Sequence, residues 1–176
     1  MDSKQSFNAT LRMHDARINL LEHLHGKPAI ATIRSFSGGF FTGPAQAHDH
    51  SSLLGMYPNA QDTDSPPLRL HFRHTADGYI LSIKNPGEYY DKLISRSWLE
   101  VLGAQHPNTR NPTLFNLVDH RRNIIKRKDF TSIHSPVSLM TTNSKYIGGL
   151  KIPGSPYIYL AKTEEKSKIT FILSIH

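Results

Sequence analysis

Histidines are the side chains best suited to chemistry in this sequence, and they recur. His48 and His50 flank Asp49, and on a strand they would point the same way. Zinc needs a third or fourth protein ligand. No spacing supplies one, so a solvated loop is the expected role. His74, His120 and His176 each close an alternating apolar run, and the expected role is structural, with each ring hydrogen-bonded to a turn carbonyl. Serine, histidine and aspartate are plentiful, but no nucleophile elbow marks a triad. Asp119 and His120 are sequence neighbours, and strand neighbours face opposite sides. Glu88, Asp91 and Glu100 would form a glycosidase pair only if the fold set two of them at the needed separation. Gly38-Gly39 and Gly148-Gly149 are expected at sheet turns, not between a strand and a helix as a phosphate loop requires. The expectation is a protein with no catalytic residue, no metal and no cofactor.

Two other groups point to binding. Arg121, Arg122, Lys126, Arg127 and Lys128 make the densest basic patch, with Ile124 and Ile125 between them. Such a loop pairs with phosphate, sulfate or carboxylate groups. An acidic protein surface, or more weakly nucleic acid, is the partner it implies. The second group surrounds Trp98. Asn85, Glu88 and Asp91 lie near it in the chain, and Tyr89 is expected outward with Tyr90 in the core. Polar groups there would hold hydroxyls while an aromatic face packs on a sugar ring. A non-catalytic carbohydrate-binding module with a glycan partner is the expected function. A protein-interaction module and a polyanion binder are the alternatives.

The elements that must position these residues follow from size and pattern. A chain of 176 residues is long enough for one domain with its own core. Apolar residues make up only 38%, so that core must be economical. The absence of cysteine excludes disulfides, thiolate metal sites and a cysteine nucleophile. Met1 to Thr10 lacks the apolar run of a signal peptide, and no stretch approaches the ~20 apolar residues that cross a bilayer. A cytoplasmic location is the expectation. The formal charge of +7 favours anionic partners.

Residues 11 to 25 hold Leu11, Ile18, Leu21 and Leu24 at helical steps, with Gly26 and Pro28 as stops. This predicts a short N-terminal helix within an extension, 1–27, that caps the open end of a barrel. Beyond Pro28 the period changes to two. Short Ile-, Leu-, Tyr- and Phe-rich runs alternate with Gly, Pro, Asn and Asp clusters, the mark of a hairpin-rich antiparallel sheet.

Three segments, 28–43, 78–93 and 135–150, superimpose as strand, polar turn and aromatic residue. Ile33 with Phe40, Ile83 with Tyr90 and Leu139 with Tyr146 are the anchors. Ile83 to His120 and Leu139 to His176 are both 37 residues. The reading is three four-stranded repeats, about 28–74, 75–120 and 121–176, in one all-β domain spanning 28–176. Their strands fall at 29–34, 39–43, 53–57 and 68–73, then 78–83, 89–94, 98–103 and 113–118, then 136–141, 145–150, 156–161 and 169–175. A β-sandwich is the alternative.

This repeat plan resembles the β-trefoil superfamily, which includes ricin-type lectins, fascin-like actin-binding domains and growth-factor-like domains. Gly39-Phe40-Phe41 and Lys145-Tyr146-Ile147 look like the glycine–aromatic step of the fascin-like and growth-factor-like groups. The Gln-any-Trp element of ricin-type lectins is missing, since Arg96 and Ser97 precede Trp98. The resemblance implies a trefoil barrel, and basic loops that meet sulfated glycan.

Overall fold

The first strand closes the sheet. In the computed structural model, which describes residues 3–37, 40–58 and 66–176, Phe7, Ala9 and Leu11 alternate inward along β1 (Phe7–Arg12). A period of two, not 3.6, governs here. β2 (Arg17–Leu20) follows after a bend, and within 11–25 only α1 (Leu21–His25) is helical, ended by Gly26 at φ +67°. The predicted helix over 11–25 is thus corrected. Leu11 falls in β1 and Ile18 in β2, each buried on a strand, and only Leu21 and Leu24 are left to the helix.

Next come β3 (Ile30–Ser37) and β4 (Phe40–Asp49), then β5 (Leu54–Tyr57), β6 (Leu68–Thr75), β7 (Gly78–Ile83), β8 (Leu93–Trp98) and β9 (Val101–Gln105). β10 (Phe115–Val118), β11 (Ile124–Ile125), β12 (His134–Thr141), β13 (Tyr146–Lys151), β14 (Ile158–Thr163) and β15 (Phe171–Ile175) complete the chain. All sheet pairings are antiparallel. β12, β13, β14, β9, β8, β7, β6, β1 and β15 form one closed nine-stranded barrel, returning to β12. β10 crosses this circuit. It pairs with β12 along Phe115–Val118 and with β7 at Phe115↔Tyr79, which closes a smaller ring inside the same sheet.

The chain is all-β, but the expected β-trefoil of three four-stranded repeats behind a helix is overturned. The first repeat as drawn does not exist. Its strands at 29–34 and 39–43 fall in β3 and β4, which pair only with each other as a separate two-stranded sheet. The anchors differ accordingly. Ile33 is buried in a second cluster with Leu21, Leu53 and Tyr159, while Phe40 is 72% exposed. Gly38 and Gly39, and with them the glycine of the Gly39-Phe40-Phe41 step, lie outside the described residues. In the second repeat the strand expected at 89–94 begins only at Leu93. The turn before it, with Asp91 at φ +65°, reverses the expected facing. Tyr89 is buried and Tyr90 is half-exposed. The three closing histidines are not equivalent either. His74 pairs across from Tyr79 within the sheet, His120 sits in an exposed turn and His176 follows β15.

The main core fills the barrel. Phe7 stacks on Phe72 at 4.8 Å, and both meet the edge of Tyr79. Leu68, Leu70, Leu81, Phe115, Leu117, Phe171 and Leu173 complete it, each essentially inaccessible to solvent. Burying such side chains contributes ~1.5–3 kcal/mol each.

Gly148-Gly149 was expected at a turn and instead lies within β13. The two glycines differ. A Cβ on Gly148 would stand 2.3 Å from the Ser167 carbonyl oxygen, whereas on Gly149 it would meet only Met56 Sδ at 3.4 Å and Ile158 at 3.5 Å. Gly148→Ala should therefore destabilise the protein by about 2–4 kcal/mol and Gly149→Ala by less than about 1 kcal/mol. Urea unfolding of the two variants checks this, and equal midpoints would show that β13 does not run against Ser167.

Candidate functional site

Three adjoining strands build the most developed concave surface. β1 lies between β6 and β15, so that Thr10 faces Arg69 on one side and Ser174 on the other. Leu68, Leu70 and Phe72 turn into the core, so the alternation turns Arg69, His71 and Arg73 outward. Asn8 and Arg12 do the same on β1. The resulting outer face carries three cross-strand imidazole contacts. His71 Nδ1 donates to Asn8 Oδ1 at 2.7 Å, His134 Nδ1 meets Ser174 Oγ at 2.7 Å and His176 Nε2 meets Thr10 Oγ1 at 3.4 Å. Burial and the neighbouring Lys84 and Arg73 charges hold His71 below the usual imidazole range, with Asp91 opposing.

Three concavities of about 780, 720 and 510 Å³ share Arg69; the largest lies beside this face, lined otherwise by β2, α1 and the loops before β6 and after β7. The largest is walled by Pro28, Pro66 and Pro86, with Lys27 and Arg69 as its cations. Its size is that of a small-molecule site. Its acid, Glu22, is engaged by the Tyr89 hydroxyl. Burial, and then that hydrogen bond, push the Tyr89 phenol above its ordinary range. Among the described residues no carboxylate lies within ion-pair distance of Arg69.

Two buried asparagines fix the backbone beneath. Asn85 Oδ1 accepts the Arg69 N–H at 2.8 Å, and its Nδ2 donates to the Pro67 carbonyl at 2.9 Å. Asn19 Nδ2 reaches the Pro66 carbonyl at 3.5 Å. The Lys84 N–H donates to the Arg69 carbonyl at 2.8 Å. Arg69 is thus held on both backbone groups, and only its side chain is free to adapt.

The sequence-predicted residues are dispersed by this fold. Asn85 lines the large cavity, and Tyr89 is buried against His23, at 5.5 Å between ring centroids. Asp91 pairs with Lys84, and Glu88 is exposed in the turn. Trp98 is elsewhere, with its ring 4.4 Å from His50 and 6.3 Å from His48. The lectin reading is therefore corrected. It rested on trefoil repeats that the barrel does not contain, and the proposed aromatic platform is separated from its polar partners. The acidic-surface and nucleic-acid partners expected for the basic 121–128 segment are corrected with it. That segment is a surface turn organised by acids. Asp119 Oδ1 accepts the Arg121 and Asn123 N–H groups, Asp129 Oδ2 accepts that of Lys126, and Arg122 pairs with Glu165 at 2.8 Å. The segment carries no nucleic-acid-binding signature. No described helix is long and apolar enough to cross a membrane.

Sequence reasoning missed Arg69, Lys27 and the proline wall. The alternation of LRLHFRH marks Arg69 as outward, but only the β1–β6 pairing joins it to Arg12 and His176.

His48 and His50 do not converge on a shared ligand. His50 is 3% exposed, its Nδ1 meets the Tyr159 hydroxyl at 2.7 Å, and that hydroxyl meets Ser155 Oγ at 2.6 Å. Its Nε2 is buried without a partner. Among the described residues no three ligating groups cluster. Compared with family models, with curated proteins and with solved structures, the chain has no match.

Burial, together with the His48 charge, lowers the His50 pKa from 6.5 to about 4. Above pH 6.5 the imidazole is neutral in both folded and unfolded chains. As pH falls from 6.5 to 4, the unfolded chain takes up a proton that the folded one refuses, so folding loses stability, on the order of 2 kcal/mol. His50→Gln should lose less than the parent across this window. Urea unfolding at pH 7, 5.5 and 4.5 measures it, and parallel pH profiles for the two proteins would refute it.

Proposed function

We propose that this chain is a non-catalytic binding protein for a small organic anion with an apolar body, seated in the groove around Arg69. The observation that carries this reading is the convergence of three concavities on one guanidinium. A guanidinium presents several donors in a fixed fork and pairs with carboxylate, sulfonate or phosphate oxygens in two parallel bonds. Lys27 and Arg12 add positive potential within the same groove. Pro28, Pro66 and Pro86 offer a rigid apolar wall that loses little conformational entropy on binding. Asn85 and Asn19 hold the floor by spending their amides on backbone groups, which fixes the backbone from which the Arg69 side chain reaches a ligand.

A ligand of this class needs one charged end and a flat or branched apolar body. Anilinonaphthalene sulfonate has both, and its fluorescence reports burial. It should bind the folded protein saturably at one site. Arg69→Met should weaken binding at least about tenfold, the loss of a charge-assisted pair. Arg73→Met, on the same outer row of β6 but outside the three concavities, should leave it unchanged. A fluorescence titration of the three proteins decides the matter. Equal affinities, or binding that never saturates, would remove the proposal.

A further inference from the structure

A second cleft, of about 550 Å³, shares no lining residue with the Arg69 groove. Its wall is polar. Arg96 and Lys162 enter from β8 and β14, Thr109 and Arg110 from the loop between β9 and β10, and Thr142 from the turn after β12. Three cations therefore face one concavity whose lining holds no carboxylate. Glu100 takes one Arg96 nitrogen at 3.4 Å, and among the described residues no other acid pairs with that guanidinium. Among the described residues neither Arg110 nor Lys162 lies in an ion pair.

The cleft is built rigidly. Ser95, which is 3% exposed, holds the loop from beneath. Its Oγ meets Thr113 Oγ1 at 3.0 Å and accepts the Thr113 N–H at 3.0 Å, while Thr113 Oγ1 accepts the Arg96 N–H at 2.9 Å. The Thr109 N–H donates to the His106 carbonyl at 2.9 Å, and Asn111 adopts φ +52°. Thr141 is tied to Lys145 on the opposite wall through backbone and side chain. Lys162 is positioned through its own N–H, which donates to the Glu100 carbonyl at 2.9 Å.

From this arrangement we infer that the cleft is a binding site for a phosphate monoester with a small polar body. A planar carboxylate would satisfy one guanidinium and leave the other two cations of the open cleft without a partner. A phosphate carries up to two charges and three outer oxygens, which three cations and two threonine hydroxyls can meet together. The remaining volume accommodates a polar substituent, and the lining offers no apolar wall comparable with that of the Arg69 groove.

Inorganic phosphate is the probe, followed by amide chemical shifts of the intact chain. Saturable shifts should be confined to residues 95–96, 105, 109–111, 113–114, 141–143 and 162, with acetate producing none there. Arg110→Gln, at an exposed position, and Lys162→Gln should each weaken phosphate at least about tenfold, while Lys166→Gln should not. Two arms separate sources of the group: glycerol phosphate in solution, and phosphatidylcholine vesicles carrying phosphatidic acid. Binding in either arm that Arg110→Gln weakens upholds the site and identifies the source. Non-saturating shifts, shifts centred on Arg69, or titrations unaltered by both Gln variants would overturn it.

Discussion

The insertion of β1 between β6 and β15 is the constraint on which the rest depends. One strand from the start of the sequence satisfies backbone hydrogen bonds on both of its edges. Without it, β6 and β15 would each present an open edge, and Phe7, Ala9 and Leu11 would leave the core exposed. The same insertion sets Thr10 beside Arg69 and His176, with Arg12 lining the same concavity, so closure of the barrel and assembly of the groove are one event. The groove's chemistry follows from period-two alternation. Every inward Leu or Phe on β6 obliges an outward Arg or His.

The hairpin of β3 and β4 is a second layer with a separate anchor. Ala29, Ala31 and Ile33 pack with Leu21, Leu53 and Tyr159 rather than with the barrel core. The His50 N–H donates to the Ala29 carbonyl at 2.7 Å, and Ser51 Oγ accepts the Ala29 N–H at 2.9 Å. His50, Tyr159 and Ser155 join this base to the β13–β14 connection. A neutral buried imidazole does that without a counter-charge, which explains why its protonation is disfavoured.

Much of the strand content was legible from the sequence, and the way it is joined was not. GYILSI, TLFNLVDH and ITFILSIH gave strands close to β7, β10 and β15 because alternation and flanking turn residues agree there. Residues 11–25 misled because Leu11, Ile18, Leu21 and Leu24 recur at helical steps, while the period-two runs that the partner strands select, Phe7-Ala9-Leu11 and Ala16-Ile18-Leu20, are short. The first repeat misled because PAIATIRSF has the pattern of a barrel strand although its partner is β4. Tyr89 and Tyr90 exchanged roles through one left-handed residue, Asp91. The groove was illegible for a simpler reason. Its residues come from β1, β2, α1, β6, the segment after β7, β12 and the end of β15, and local pattern says nothing about contacts across more than a hundred residues.

Nuclear Overhauser contacts across the strands test that arrangement most directly. Backbone protons of Thr10 should show cross-strand contacts to both Arg69 and Ser174, with extended-strand couplings over 7–12. Consecutive amide–amide contacts through 11–25, or a Thr10 with no neighbour on one edge, would contradict the closed barrel and the groove built upon it.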